Sequence, residues 1–200
     1  MIIANSKPIK IIGYPESSMT AEFVNEISKT HAVEVITPAV FLKDTDRNRA
    51  QYILSVSFDL VERQQLINLI DSENLDLITV VSDTTLLGKT PAAIISPGTF
   101  IFPFCHIAIS TTIGRHCIIG SYCLVAHYST LGNNCILRPG VMIIGKASVG
   151  NNCVINTRST IANGARITND VEILGFTNVV KDIAVPGKYL GSTARKQKNI

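Results

Sequence analysis

Histidine is the side chain whose charge changes close to neutral pH, so His31, His106, His116 and His127 are the first candidates for moving a proton. Cysteine is the next nucleophile or metal ligand to consider, and the chain has five: Cys105, Cys117, Cys123, Cys135 and Cys153. None forms a C-x-x-C pair and their number is odd, which excludes a zinc knuckle and a disulfide framework and leaves reduced thiols. Charge is divided unevenly. Residues 1 to 90 hold 8 Lys/Arg against 12 Asp/Glu, whereas residues 91 to 200 hold 10 against 3. A basic, carboxylate-poor half suits an anionic ligand, either a phosphorylated cofactor or nucleic acid, although Lys188, Arg195, Lys196 and Lys198 supply four of its cations near the end.

These groups need a scaffold. The 200 residues are 46% hydrophobic but only 6% aromatic, with no Trp, which excludes a disordered or fibrous polymer and favours a core of many similar aliphatic layers. The segment Met1 to Gly13 carries Asn5, Lys7, Pro8 and Lys10 where a signal peptide needs apolar residues, and no run of 18 apolar residues occurs. A soluble, cytoplasmic protein without membrane insertion is expected. One repeat organises the second half: aliphatic residues recur every six positions from Ile95 through Ile101, Ile107 and Ile113 to Val185, 16 in succession. Two positions before each stands a residue that is nearly always small, as at Thr99, Cys105, Thr111, Cys117, Cys123 and Ser129. This describes a solenoid of short strands and turns whose side chains point into a narrow prism. All five cysteines take the small inner slot and act as compact fillers.

The first ninety residues alternate differently. Strands are expected at Ile9 to Gly13, Ala32 to Ile36, Tyr52 to Ser57 and Leu77 to Val81, with helices from Ser17 or Ser18 to about Lys29 and from about Leu60 to Ser72. Such alternation argues for a small parallel α/β sheet.

The six-residue phase resembles the hexapeptide-repeat family, whose members form a left-handed parallel β-helix with three hexads per 18-residue coil. By that resemblance residues 95 to 184 make about five coils, in a homotrimer. An α/β unit leading straight into such coils looks like the bacterial sialic-acid O-acetyltransferases and UDP-4-amino-sugar N-acetyltransferases. The segment "YILSVSFDLVERQQLINLI", with Arg63 and Leu66, matches their strand and helix. The implied division is 1–90, a Rossmann-like α/β unit for the acceptor, 91–187, a β-helix for acetyl-CoA, and 188–200, a tail. The implied activity is acetyl-CoA-dependent acetyl transfer to a sugar, with neither a metal nor nucleic acid involved.

The resemblance also distributes roles. In "CIIGSYCLVAHYSTLGNNCILRPG" the family's general base falls on His127, two residues after Val125. A backbone donor for the thioester oxyanion falls on Gly145, 18 residues later and so one coil on, on the same edge. Each Cys points inward by phase, so direct transfer is simpler than an acyl-enzyme. The phosphates of coenzyme A are expected among Gly145, Lys146, Arg158, Arg166, Lys181 and Arg195, the last within "GSTAR", where Thr193 replaces the family's Pro. The acceptor is expected near Gly13, Ser17, Ser18 and Tyr128. Three departures stand out: Tyr128 replaces an acidic residue, Ile136 replaces a second His, and Gly13-Tyr14-Pro15-Glu16-Ser17-Ser18 replaces a Gly-rich phosphate loop. They motivate an alternative, a trimeric scaffold with impaired catalysis. A γ-carbonic-anhydrase-type metal enzyme is a further alternative, although His106, His116 and His127, spaced 10 and 11 apart, do not form that family's close pair plus a distant third.

Overall fold

The structure is a computed structural model that describes residues 1–57 and 59–191. After a short β1 (Ile2–Ile3), the β-branched runs IKII, VEVI and QYIL form β2 (Ile9–Ile12), β3 (Val33–Ile36) and β4 (Gln51–Leu54). These three strands pair in parallel in the order β3-β2-β4. Helix α1 (Ser18–Ile27) turns Phe23 and Ile27 into the core. Helix α2 (Pro38–Lys43) opens on Thr37, whose hydroxyl accepts the Val40 N–H. Helix α3 (Leu60–Ser72) opens on Asp59, whose carboxylate accepts the N–H groups of Val61 and Glu62.

The expected fourth strand does not complete this sheet. Leu77 makes a single parallel bridge to Tyr52, after which the chain leaves for β5 (Thr79–Val81), parallel to Phe100–Ile101 and antiparallel to β1. Ile78 N–H still reaches the Tyr52 carbonyl while Val80 N–H reaches Thr99, so this one extended segment splices two sheets.

From β5 onward the chain winds into a parallel β-helix with three faces. From Ile94–Ile95 to Asn178–Val179 paired strands are 18 residues apart, so that Ile101, Ile119, Leu137, Ile155 and Ile173 stack on the first face. The second face carries Leu124–Val125 and Met142–Ile143, and the third Thr130–Leu131 and Ser148–Val149. About six coils result, rather than five, because β5, Leu86–Leu87 and Ile94–Ile95 form an additional first coil. Its hexad phase is interrupted: Val81 and Leu87 are six apart, but Leu87 and Ile95 are eight apart. At the other end Val185 is 65% exposed, and Ile183 takes the inner position by bridging Ile167.

The inner residues do more than fill space. Thr99, Cys105, Thr111, Cys117, Cys123, Ser129, Cys135, Cys153 and Ser159 each donate a hydroxyl or thiol hydrogen to the carbonyl 15 residues ahead, at distances of 2.8 to 3.3 Å. The cysteines are therefore hydrogen-bonding fillers.

The α/β unit sits on the first face. Phe100, Phe102, Ile118, Ile136 and Val154 project from that face into a cluster with Ile9, Ile11, Phe23 and Ile27, and Phe23 stacks on Phe100 with ring centroids 3.8 Å apart. Arg63 of α3 is 1% exposed. Its guanidinium donates to Asn134 Oδ1 at 2.8 Å and to the carbonyls of Leu54, Val56 and His116, and burial lowers its pKa to about 10. Nearby, His116 is bonded to Asp71 of α3 at 3.1 Å, and Arg115 reaches the same carboxylate at 2.7 Å. Burial pushes the His116 imidazole below its usual value despite the opposing pull of Asp71 and with the help of Arg63 and Arg115. Burial raises the Asp71 carboxyl, but hydrogen bonds from Arg115 and His116 outweigh it and hold the group low.

Two outcomes are expected. Arg63→Met strands four acceptors and lowers the unfolding free energy by about 3 kcal/mol or more, whereas Arg63→Lys recovers part of that loss with its three donors; urea denaturation measures both. His116 accepts a proton near pH 6.5 when unfolded but only at lower pH when folded, so its contribution is present above that value and lost as pH falls from there toward the folded value. Asp71 acts in the same direction at more acid pH. Urea midpoints between pH 7.5 and 5 should therefore fall, and His116→Asn, which tolerates the left-handed backbone there, should flatten the slope.

Candidate active site

His127 lies on the edge between the second and third faces, just after Leu124–Val125. It is exposed, and its ring makes no side-chain hydrogen bond among the described residues. Two neighbours flank it. The ring lies against Gly145 one coil on, where a Cβ would come within 2.7 Å of its Cε1 and 2.9 Å of its Nε2. Tyr128 meets it edge-to-face, with centroids 5.5 Å apart at 81°. Tyr128 adopts φ 59°, the left-handed conformation required at this turn, and Lys146 repeats it at φ 61° one coil later. The Lys146 N–H donates to the His127 carbonyl at 3.0 Å, while the Gly145 N–H has no backbone partner among the described residues.

The basic residues divide between edges. Lys146 shares the His127 edge, Lys181 lies in the His127 column three coils on, and Arg166 stands beside it on the third face. All three are exposed. Arg158 falls on a different edge, between the first and second faces, with its Cγ against Gly140. Arg195 lies outside the described residues. His106 is on the second face and His116 is buried against α3, so the three C-terminal histidines do not converge within one chain. Among the described residues no three His, Cys, Asp or Glu side chains group as metal ligands, and no helix is long and apolar enough to cross a membrane.

The α/β unit contributes a second concavity. Strands β2 and β4 are adjacent, and the chain leaves them in opposite directions across the sheet, so their carboxyl ends form a topological switch point where open α/β sheets bind ligands. A cavity of about 140 Å³ lies there, lined by Tyr14, Ser17, Thr20, Ser55, Val56, Ser57 and Asp59. Gly13 is indispensable to it: a Cβ would fall 2.0 Å from Ser55 Oγ and 2.6 Å from Thr20 Oγ1. Ser17 caps α1 by position but makes no side-chain cap bond, and Ser18 begins the helix. The sequence reading missed Thr20, Ser55, Ser57 and Asp59; the run of hydroxyls after the apolar β4, ending in a capping Asp, was the available signal. A larger cavity, about 580 Å³, lies between α3 and Asn134, Asn152 and Val154, and contains none of the expected site residues.

Comparison with known proteins fits this geometry. The bacterial transferase hexapeptide (six repeats) profile matches residues 110–145 and 128–163, which hold His127 and Gly145. Residues 110–163, the middle coils of the β-helix, thus match the hexapeptide repeat of bacterial transferases. No curated protein sequence matches the chain. Among solved structures, PerB from Caulobacter crescentus in complex with CoA and GDP-perosamine has a TM-score of 0.79 at 17% identity over 94% of this chain and 95% of that one. The acetyltransferase domain of PglB from Neisseria gonorrhoeae gives 0.82 at 14% identity over 93% and 97%, and its complex with acetyl coenzyme A gives 0.81 at 15% identity over 94% and 97%. At these identities it is the fold that is shared, and it extends through the α/β unit as well as the hexapeptide repeat.

The contact between Gly145 and the imidazole yields a structural expectation. Gly145→Ala should rotate the His127 ring away from the hexapeptide edge, visible in a crystal structure of the variant, while changing the unfolding free energy by less than about 1 kcal/mol, because the displaced side chain is exposed and free to turn.

Proposed function

We propose that the protein is an acetyl-CoA-dependent acetyltransferase acting on a sugar, with His127 as general base and direct transfer of the acetyl group. The observation that carries this reading is the stacking of His127 on Gly145, whose N–H has no backbone partner among the described residues, on one edge of a hexapeptide repeat. His127 removes the proton from the attacking amine or hydroxyl of the acceptor as the new bond to the thioester carbonyl forms. The Gly145 N–H receives the oxyanion, and the proton held on the imidazole returns to the departing thiolate. Lys146, Arg166 and Lys181, ranged along the same side, are the groups for the phosphates of coenzyme A. Each described Cys is buried, consistent with transfer that uses no acyl-enzyme.

The α/β unit lies on the first face, across the prism from His127, so an acceptor held at the strand ends of one chain does not face that chain's own base. A homotrimer answers this by bringing the edge of one copy to the α/β unit of another. Exposed Leu86, Ile94 and Met142 on the outer second and third faces support such an assembly.

The test is thiol release from acetyl-CoA in the presence of amino-sugar acceptors. His127→Ala should lower kcat by at least about 10²-fold with acetyl-CoA binding retained; turnover equal to that of the unaltered protein sinks the assignment.

A further inference from the structure

The cavity at the β2 and β4 strand ends has a chemistry of its own. Ser57 is 3% exposed and lines it, yet its Oγ has no hydrogen-bond partner among the described residues. A buried hydroxyl left unmatched carries a desolvation cost that an incoming polar group would relieve. Thr20 and Ser55 hydroxyls, bonded to one another at 2.8 Å, stand beside it with Ser17. These groups both donate and accept, which suits sugar hydroxyls.

No basic side chain lines this wall to meet a diphosphate. The N–H groups at the start of α3, the usual seat for a phosphate, are already held by the Asp59 carboxylate. The Tyr14 hydroxyl donates to Glu62 Oε1 at 2.7 Å, tying the β2–α1 loop to α3 on the cavity wall. The phenol is raised above its ordinary pKa, first by that hydrogen bond, then by partial desolvation and by the charges of Glu62, Asp59 and Glu16. Helix α1 offers first-turn amides, with Glu16 directly before its cap. The guanidinium groups of Arg63 and Arg138 donate to the carbonyls of Val56 and Ser57 and are not among the lining groups. The volume, about 140 Å³, is below the roughly 300–1,000 Å³ of clefts that bury drug-sized ligands.

We infer that this cavity seats a single neutral, hydroxyl-rich sugar moiety of the acceptor and excludes a nucleoside diphosphate, so that the acceptor is a sugar without a nucleotide carrier. The inference rests on the transfer reading for calling that sugar the acceptor. It sets this chain apart from the structural neighbour solved with GDP-perosamine.

Binding to the full chain, measured by saturation-transfer NMR and calorimetry without acetyl-CoA, tests it. The probes are methyl glycosides of 2-amino and 4-amino hexoses, and UDP. The glycosides should bind, and Ser57→Ala, which leaves no partner stranded, should weaken them roughly 5- to 10-fold with the melting temperature unchanged. UDP should not bind the unaltered chain, and Tyr14→Gly combined with Asp59→Gly, which frees the α3 amides, should admit it. Absence of glycoside binding, or UDP binding that Ser57→Ala weakens, overturns the inference. Loss of thiol release in His127→Ala together with such UDP binding would leave the transfer reading standing and remove this one. Glycoside binding without thiol release would do the reverse.

Discussion

The β-helix depends on one recurring hydrogen bond, from a small inner side chain to the carbonyl of the turn one coil ahead. Every edge of the prism must turn the chain sharply within two residues, and it does so by placing a residue in the left-handed region at each sixth position from Gly98 to Phe176. Only Gly98, Gly140 and Gly164 of these are glycine; Phe104, Tyr122, Tyr128, Lys146, Arg158 and Phe176 pay a cost of about 1–2 kcal/mol each in isolation. The turn carbonyls turned into the narrow interior would be unsatisfied as well. A Ser, Thr or Cys just after the left-handed residue fits the corner and supplies the missing donor, offsetting both costs in nine places. Thiols buried at 0–1% exposure are thus explained by geometry and need no reactivity.

The same edges carry the attachment of the α/β unit. Arg63 donates to Asn134, whose amide donates to Asn152 at 3.1 Å, whose amide donates to Asp170 at 3.0 Å. This relay climbs three coils on one edge and connects a buried cation without a carboxylate beside it to an exposed anion. Chains of hydrogen bonds polarise one another, so the Asp170 charge is felt at Asn134. Gln64 of α3 accepts from the same Asn134, which fixes the helix along the edge and with it the α3 start that closes the strand-end cavity.

Much of this was legible in the sequence, for a physical reason. Hexad spacing reports burial in a periodic prism directly, so Ile101 through Val179 could be assigned without reference to any structure. The first coil escaped because the two extra residues between Leu87 and Ile95 erase the phase although the strands still stack. Val185 misled because periodicity cannot show where a stack ends; its successor Pro186 was the only hint. At the other end of the solenoid, Leu77 to Val81 has the composition of a buried strand, and composition does not say in which of two sheets a strand is buried. Of the expected site residues, His127 and Gly145 meet because an 18-residue separation is a distance in this fold, whereas Arg158 has the right charge on another edge, which its phase already implied.

What the sequence hid is the balance of polar partners. The loop from Gly13 to Ser18 reads as a poor phosphate cradle, but its composition does not say whether amides elsewhere make good the loss. The amides that open α3 are already occupied by the Asp59 carboxylate, and those that open α1 stand behind Glu16. The Tyr14 hydroxyl crosses to Glu62, 48 positions along the chain, a pairing that no spacing rule brings together. Both contacts depend on where α3 begins, and α3 is held by Arg63 and Gln64 on Asn134, 71 and 70 positions away on a β-helix edge. The polarity of the strand-end cavity is therefore set through the register of the solenoid, which is legible only once the coils are stacked.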